Sequence, residues 1–177
     1  MSEFICPSCG FDNIPGADTC EQCMTSLTHE DIPPDEARDS VERSLLGDTV
    51  AELRPATPVT IGTDESLEKT VATMRDALVG CLLVTGTDGT LVGIITERDL
   101  LEKVAGRIDD LSAHAVSDFM TARPETLEEH RSLGYALHRM MVGDLRHLPL
   151  VDETGVPVGV ISSRDIVGRI AELLGAV

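Results

Sequence analysis

The feature that most constrains the fold is an internal duplication. Residues 50–101 align without a gap on residues 116–167, at an offset of 66 positions. An ungapped repeat with its apolar positions in phase indicates two copies of one structural unit. A unit of roughly 60 residues buries too little surface to be stable alone, so we expect the copies to pack as one globule. The matched pairs are Val50/Val116, Pro58/Pro124, Thr60/Thr126, Ser66/Ser132, Leu67/Leu133, Met74/Met140, Leu82/Leu148, Gly89/Gly155, Gly93/Gly159, Arg98/Arg164 and Asp99/Asp165.

Each copy predicts the same order of elements, β-α-β-β-α, and hence a mixed α/β (α+β) fold. A short extended piece follows Pro58, and two buried strands lie over 82–84 and 91–95, joined by a turn at Asp88-Gly89. The second copy has its strands at 148–151 and 158–161. The apolar positions expected to pack in the helices are Leu67, Val71, Met74, Leu78, Leu100, Leu101 and Val104, then Leu133, Leu137, Met140, Met141, Ile166, Val167, Ile170, Leu173 and Leu174.

The composition divides the chain into four parts. A cysteine-rich segment covers residues 1–27, an acidic linker covers 28–48, and the repeats cover 49–108 and 115–177. Pro34 could open a short linker helix that runs to about Leu46, with Gly47 ending it.

Four of the five cysteines form two Cys-x-x-Cys pairs, Cys6 with Cys9 and Cys20 with Cys23. Two such turns facing each other supply a tetrahedral set of thiolates, and four ligands leave no open position for catalysis. A segment this short depends on the metal for its folding free energy. The pattern predicts a structural Zn²⁺ site and resembles the small zinc-ribbon modules of bacteria and archaea. A rubredoxin-like iron site and a redox dithiol pair remain open. The fifth cysteine, Cys81, is expected to be a core thiol.

The charge and hydropathy of the chain disfavour several classes of function. A formal charge of −17, with 31 acidic against 14 basic residues, makes nucleic-acid binding unlikely. This acidity fits either a high-salt cytoplasm or an ordinary acidic protein. No apolar run approaches the ~20 residues of a membrane span, and no signal peptide is visible at the N-terminus. We therefore expect a soluble, cytoplasmic protein without a membrane partner.

The segments with the most groups able to bind a ligand are the two places where a strand turns directly into a helix. They read Gly93-Ile-Ile-Thr96-Glu-Arg98-Asp99 and Gly159-Val-Ile-Ser162-Ser-Arg164-Asp165. Free backbone N–H groups at a helix start favour an anion, guanidinium pairs with phosphate, and a carboxylate accepts from ribose hydroxyls. One such segment could equally be a simple helix cap. The matched second copy favours a ligand.

These segments, together with Val116-Ser-Asp-Phe-Met120-Thr121 and Arg146-His147-Leu148-Pro149-Leu150-Val151-Asp152, resemble those of a tandem pair of CBS domains, a Bateman module. The resemblance covers about 70% of the chain, residues 50–174. It implies a pseudo-two-fold pair with two clefts that bind AMP, ADP, ATP or S-adenosylmethionine, and frequent dimerisation.

The resemblance also implies roles for individual residues. Asp99 and Asp165 would hold ribose hydroxyls, and Thr96 and Ser162 would bond ribose or phosphate. The positions expected near adenine or phosphate are Thr57 to Val59, Arg98, Arg123 to Glu125, Arg146, His147 and Arg164. The first repeat has Gly80-Cys81 where the second has Arg146-His147, so we expect at least one competent site and not two of equal affinity.

The sequence therefore predicts a non-enzymatic sensor that binds an adenosyl ligand and passes its state to an unidentified regulated protein. No nucleophile-base pair, open metal site or P-loop argues for catalysis. The alternative is an interaction adaptor whose nucleotide sites are vestigial and whose ribbon docks a partner.

Overall fold

The computed structural model describes residues 4–6, 9–13, 19–25 and 39–175. They form two compact units that do not follow the repeat boundaries. The sheet unit comprises Pro55–Glu128 and His147–Ile161. The helix-rich unit draws on Met1–Arg54, Glu129–Arg146 and Ser162–Val177. The second repeat thus contributes its strands to one unit and its helices to the other.

The sheet unit is built on a four-stranded sheet in the order β3-β4-β5-β6. Strand β3 (Thr60–Gly62) runs parallel to β4 (Cys81–Thr85), and helix α2 (Leu67–Ala77) connects them. Strands β4 and β5 (Leu91–Thr96) are antiparallel, with Cys81 opposite Thr96. The turn between them places Gly89 at φ +83°, a conformation that favours glycine. Strands β7 (His147–Val151) and β8 (Pro157–Ser162) pair separately.

The segment leading into each repeat pairs with a strand of the other repeat, which the sequence did not predict. Strand β6 (Thr121–Ala122) pairs with β5, and Ala56 bridges to Val160 on β8. The strand glycines make room for these segments. A Cβ on Gly93 would lie 2.2 Å from the sulfur of Met120, and one on Gly159 would lie 3.0 Å from Cβ of Pro55. The close approach that these glycines permit is therefore to the protein itself.

The core of the sheet unit is aliphatic. It combines β-strand residues with the inner face of α2, and its fully or nearly buried members are Ile61, Leu67, Met74, Leu82, Val84, Ile95, Val104 and Val116. Cys81 is buried, as predicted, and burial together with the Glu97 charge raises the pKa of its thiol to about 11. Cys81 is therefore protonated at neutral pH and contributes by packing.

The helix-rich unit contains α1 (Ser40–Gly47), α4 (Leu133–Val142) and α5 (Ser163–Leu173). Helix α1 ends at Gly47 as predicted, whereas its predicted start at Pro34 lies outside the described residues. Strands β1 (Phe4–Ile5) and β2 (Asp12–Asn13) pair antiparallel. Short 3₁₀-helices lie at Val50–Leu53, Leu111–Ala113 and Val116–Asp118. Within the described ranges, no helix combines the length and hydropathy required to cross a membrane.

Some apolar helix positions predicted to pack are exposed. Leu78 is 91% exposed because α2 ends at Ala77 and Leu78 adopts a left-handed cap conformation. Met140 is buried as predicted, but Met141 lies about 100° further round the helix and is 74% exposed. Val71 on α2, and Leu101, Val167 and Leu174 in the closing helices, are also exposed.

The closing helix of the first repeat is irregular. A single α-turn, α3 (Glu97–Asp99), continues as a π-helix over Leu100–Val104, whereas the equivalent α5 is a regular α-helix of 11 residues.

Candidate functional site

The first strand-to-helix corner, Thr96 to Asp99, lies at the junction of β5 and α3. Thr96 is the N-cap of α3, and its side chain accepts from the backbone N–H of Asp99. The Asp99 carboxylate returns the contact, since its Oδ2 accepts from Thr96 N at 2.9 Å and from Thr96 Oγ1 at 2.6 Å. This reciprocal arrangement is a capping box, and it satisfies donors that a helix start would otherwise leave exposed. Asp99 is 9% exposed.

The second oxygen of the Asp99 carboxylate is also engaged. Lys103, one turn further along, donates from Nζ to Oδ1 at 2.7 Å. The same ammonium group donates to the backbone carbonyl of Phe119 at 2.8 Å. Burial acts to raise the pKa of Asp99, but the Lys103 and Thr96 contacts outweigh it and hold that pKa below its usual value. Both oxygens of this carboxylate therefore already have partners from the chain itself.

The second corner, Ser162 to Asp165, joins β8 to α5. Its capping geometry repeats the first, with Asp165 Oδ2 accepting from Ser162 N at 2.6 Å and from Ser162 Oγ at 2.7 Å. Asp165 is exposed, in contrast to Asp99. No ion pair involving Asp165 occurs among the residues that the structure describes. Its Oδ1 therefore faces water and can accept hydrogen bonds from a ligand.

The residue equivalent to Lys103 in the second repeat is Arg169, and it points elsewhere. Arg169 donates to Oδ2 of Asp48 at 2.8 Å and lies 3.7 Å from a Glu172 oxygen. Asp48 also accepts from the Ser44 hydroxyl, and these two contacts hold the pKa of Asp48 below its usual value. The guanidinium is thus drawn away from Asp165.

The partner that draws Arg169 away has no counterpart in the first repeat. The position equivalent to Asp48 is His114, and the match is structural as well as sequential: Leu133 N donates to Asp48 O at 3.0 Å, and Leu67 N donates to His114 O at 2.9 Å. The His114 ring stacks edge-on against Phe119 at 5.8 Å. Without a carboxylate there, Lys103 remains with Asp99.

The expectation of free N–H groups at the helix starts is wrong for the first position of each helix. The N–H of Glu97 donates to Gly80 O at 3.0 Å, and the N–H of Ser163 donates to Arg146 O at 3.0 Å. The residue that precedes each inner strand thus accepts this bond. The corners therefore offer side-chain groups to a ligand more than helix-start amides.

The four cysteines of the N-terminal segment converge. Their sulfur atoms all lie within 4.8 Å of one another, with Cys6 and Cys23 sulfurs 3.7 Å apart and Cys9 and Cys20 sulfurs 3.4 Å apart. Sulfurs around one tetrahedral ion at ~2.3 Å would be roughly 3.8 Å apart, so the donor set fits a zinc-sized ion.

Two matching backbone turns present these sulfurs. Gly10 N donates to Cys6 O at 2.7 Å, and Met24 N donates to Cys20 O at 2.9 Å. Both donors have positive φ, +70° for Gly10 and +59° for Met24. Burial acts to raise the pKa of Cys20, but backbone N–H groups of Cys23 and Gln22 outweigh it and lower that pKa to about 6. This turn stabilises the thiolate form of Cys20, whereas burial and the neighbouring cysteines raise the pKa of Cys9.

A family model for the CBS domain matches residues 50–106 and 116–172, which together exceed half of the chain. The chain belongs to the CBS domain family. A CBS-domain containing protein from Agrobacterium tumefaciens is 31% identical and covers 69% of this chain and 98% of its own, with a TM-score of 0.62. A CBS domain protein from Pyrobaculum aerophilum, solved in complex with AMP, is 26% identical and covers 70% and 98%, also at 0.62.

A longer relative matches this chain over a minor part of its own length. An inosine-5′-monophosphate dehydrogenase from Nitrosopumilus maritimus is 34% identical over 110 residues, which are 62% of this chain and 21% of that protein. Because the match spans about a fifth of that protein, it carries no activity over to the present chain.

The CBS repeats place the other predicted residues in different parts of the sheet and helices. Val59 packs against the core, and its carbonyl accepts from Leu83 N at 3.0 Å. Thr57 just before it is exposed. Because Cys81 lies opposite Thr96, the beginning of β4 and the end of β5 meet at one end of the sheet, near the start of β3. Thr57, Val59 and the first corner therefore share that end.

The predicted basic residues are more dispersed. Arg123 bonds through its N–H to Val92 O, near the far end of β5 from the first corner. Arg98 and His147 are half-buried, whereas Arg146 and Arg164 are exposed. A shallow depression of about 410 Å³ lies at the other end of the same sheet, lined by Gly62, Thr63, Asp64, Glu65, Thr85, Gly86 and Thr87. It shares no residue with either corner of the CBS pair.

Lys103 and Arg169 were missed as site residues. Each lies four residues after its corner aspartate, a spacing that brings side chains together on a helix, and this spacing was available in the sequence. What the sequence did not show is which of the two pairs forms, because that depends on Asp48, 121 positions from Arg169 in the chain, and on His114 standing where a second carboxylate would be.

Proposed function

We propose that this CBS pair is a regulatory module that binds an adenosyl ligand through its second corner, in the cytoplasm and without catalysing a reaction. The observation that carries the proposal is the Asp165 carboxylate, which is exposed and has an oxygen without an ion-pair partner within the described residues. The AMP complex of the Pyrobaculum aerophilum relative supports the ligand class. ADP, ATP and S-adenosylmethionine share the ribose that this corner would bind.

The chemistry of the second corner suits a nucleoside. A ribose presents two neighbouring hydroxyl donors, and a carboxylate is an acceptor with about four lone-pair sites. Hydrogen bonds to a charged acceptor are about twice as strong as neutral ones. Arg164, next to Asp165 and exposed, supplies a cation for phosphate.

Isothermal titration calorimetry with AMP, ATP and S-adenosylmethionine tests this proposal. Asp165→Asn keeps the shape of the side chain but removes its charge, and we expect AMP binding to weaken at least ~10-fold. Asp76→Asn is the matched control, because it makes the same exchange at an exposed aspartate on α2, outside both corners. Equal AMP affinity in the Asp165→Asn and unmodified proteins would remove Asp165 from its role.

We also propose that the four-cysteine cluster is a structural zinc ribbon that contacts a regulated protein. Support comes from the sulfur spacing and from Asn13, a buried side chain that links the two turns by donating to Phe11 O and accepting from Glu21 N. Thiolate ligands persist in a reducing compartment, which is consistent with the cytoplasm.

Metal analysis of the purified protein tests the ribbon. We expect one Zn²⁺ per chain, and loss of that metal in Cys20→Ser, with Cys81→Ser as the control thiol. Iron in place of zinc, visible by its absorption, would change the metal but keep the ligands; metal retained by Cys20→Ser would contradict the site.

A homodimer formed through the CBS pair is part of the proposal. Met141 and Val142 on α4, and Val167 on α5, are large exposed apolar side chains that a second copy would cover. Light scattering should then give twice the chain mass of 19.0 kDa. Met141→Glu should give the monomer, whereas Leu78→Glu at the C-cap of α2 should not.

A second candidate function is an adaptor whose nucleotide sites are vestigial. The first corner favours the adaptor, because its Asp99 carboxylate is already paired with Lys103. Thermal denaturation separates the candidates, since a ligand bound only to the native state raises the melting temperature. An adaptor would show no shift with any of the three adenosyl compounds.

A further inference from the structure

The two corners share a motif but differ in what their aspartates contact. Asp99 has both oxygens engaged, one by Thr96 and one by Lys103, with its side chain only 12% exposed. The Lys103 ammonium contacts Oδ1 and the side chain is largely buried, so a ribose hydroxyl would compete with Lys103 for this oxygen. That ammonium is held twice, by Asp99 and by Phe119 O, so its release breaks two charge-assisted hydrogen bonds.

We propose that Lys103 is the specificity-determining residue that closes the first nucleotide site, so that each chain binds one adenosyl ligand, at the second corner. The inference rests on the proposed function, because it assumes that the open corner binds a nucleoside. Lys103 acts as an internal cation that occupies the acceptor a ribose would use. His114 makes the closure stable, because it offers Lys103 no competing carboxylate.

The second repeat contains the comparison that supports this role. Arg169 stands at the equivalent position and carries the same charge, yet it pairs with Asp48 and Glu172. Asp165 is accordingly exposed while Asp99 is buried. A cation four residues after the aspartate is thus common to both repeats, and its partner is what differs.

The test is a gain of binding. Lys103→Met keeps an unbranched side chain, one atom shorter, but removes the charge, and calorimetry with AMP should give a stoichiometry twice that of the unmodified protein. Arg169→Met is the matched control, and it should leave the stoichiometry at one AMP per chain. The double variant Asp165→Asn/Lys103→Met should bind one AMP per chain with the affinity of an open corner, whereas Asp165→Asn alone binds at least ~10-fold more weakly, a gain that misfolding cannot produce.

Each outcome bears on a definite claim. Two AMP per chain in the unmodified protein would overturn the closure whatever the variants do. An unchanged stoichiometry in a Lys103→Met protein that melts cooperatively would also overturn it. If Lys103→Met does not fold, Lys103→Gln, which retains a hydrogen-bond donor without charge, carries the same expectation. Absence of AMP binding in every protein would instead defeat the proposed function.

Discussion

The first and second corners begin from nearly the same sequence and the same capping box, yet one is filled and the other open. Thr96-Asp99 and Ser162-Asp165 make the same bonds within the cap. The difference arises from the cation that lies one helical turn after each aspartate. Asp48, 121 positions away in the chain, pairs with Arg169, whereas His114 offers Lys103 no carboxylate. A duplicated motif is therefore insufficient to infer a duplicated site.

This comparison also explains the difference in burial. A charged side chain is buried at modest cost only when it is paired, and Asp99 is paired while Asp165 is not. The closing helix of the first repeat is correspondingly short and passes into a π-helix, whereas α5 is regular. The filled corner thus has a structural role as part of its unit, and the open corner retains its acceptor for a ligand.

The largest expected effect concerns stability at the filled corner. Asp99→Ala removes a cap and leaves the Lys103 ammonium without its carboxylate, and we expect a loss of about 2 to 3 kcal/mol in the free energy of unfolding. Asp165→Ala removes only the cap, so the expected loss is about 1 kcal/mol. Urea denaturation of both variants measures the difference. Equal losses would mean that the Lys103 contact contributes nothing to stability.

A smaller effect is expected when the partner of Arg169 is exchanged. Asp48→His makes the second repeat resemble the first, releases Arg169 and lets it turn to Asp165. Arg169 would then compete with AMP for the Asp165 carboxylate. A competing contact of about 1.4 kcal/mol would weaken AMP binding ~10-fold, as measured by calorimetry. Ser44→Ala is the control, because it removes the hydroxyl contact of Asp48 but leaves the Arg169 pair. An unchanged AMP affinity in Asp48→His would show that the partner of Arg169 does not affect AMP binding.

Much of the fold could be predicted from the sequence because it depends on local periodicity. The offset of 66 residues, the inner strands and the turns at Gly89 and Gly155 follow from repeated apolar and glycine positions, and both glycines have φ +83°. The pairing of β6 with β5, a strand of the other repeat, was not predictable in this way, since it depends on the packing of Met120 over Gly93.

The two strand-to-helix corners could be located from the sequence, but the contacts of their carboxylates could not. The motif identified Thr96, Asp99, Ser162 and Asp165, and the structure places each pair in hydrogen-bond contact. Whether a carboxylate is free depends on cations that reach it through space. The four cysteines were easier to predict, because metal-ligand spacing is local and their sulfurs lie together.

Within the helix-rich unit, the N-terminal cysteine segment contacts Arg131, and no motif indicated this contact. A Cβ on Gly10 would lie 2.1 Å from a guanidinium nitrogen of Arg131, and the Arg131 guanidinium lies 5.5 Å from the Tyr135 ring centre. Gly10 is thus required both by its positive φ and by this close approach.

The smallest expected effect is in the acid dependence of stability, and it isolates the Lys103–Asp99 pair. The pKa of Asp99 is depressed in the folded protein, because Lys103 and Thr96 outweigh the effect of burial. A depressed carboxyl pKa contributes stability that is full above the ordinary value of about 3.9 and is lost as the pH falls through the folded value. Lys103→Met should therefore be less stable than the unmodified protein at pH 7, with the difference shrinking below about pH 4. Urea denaturation of both proteins at a series of pH values measures this difference in stability.

The control is Lys69→Met, which breaks the exposed pair with Glu65. It should show a small difference in stability at pH 7, as exposed pairs contribute little. A Lys103→Met difference that stayed constant down to pH 2 would show that Lys103 acts by packing its methylene chain, and the closure of the first corner would lose its electrostatic basis.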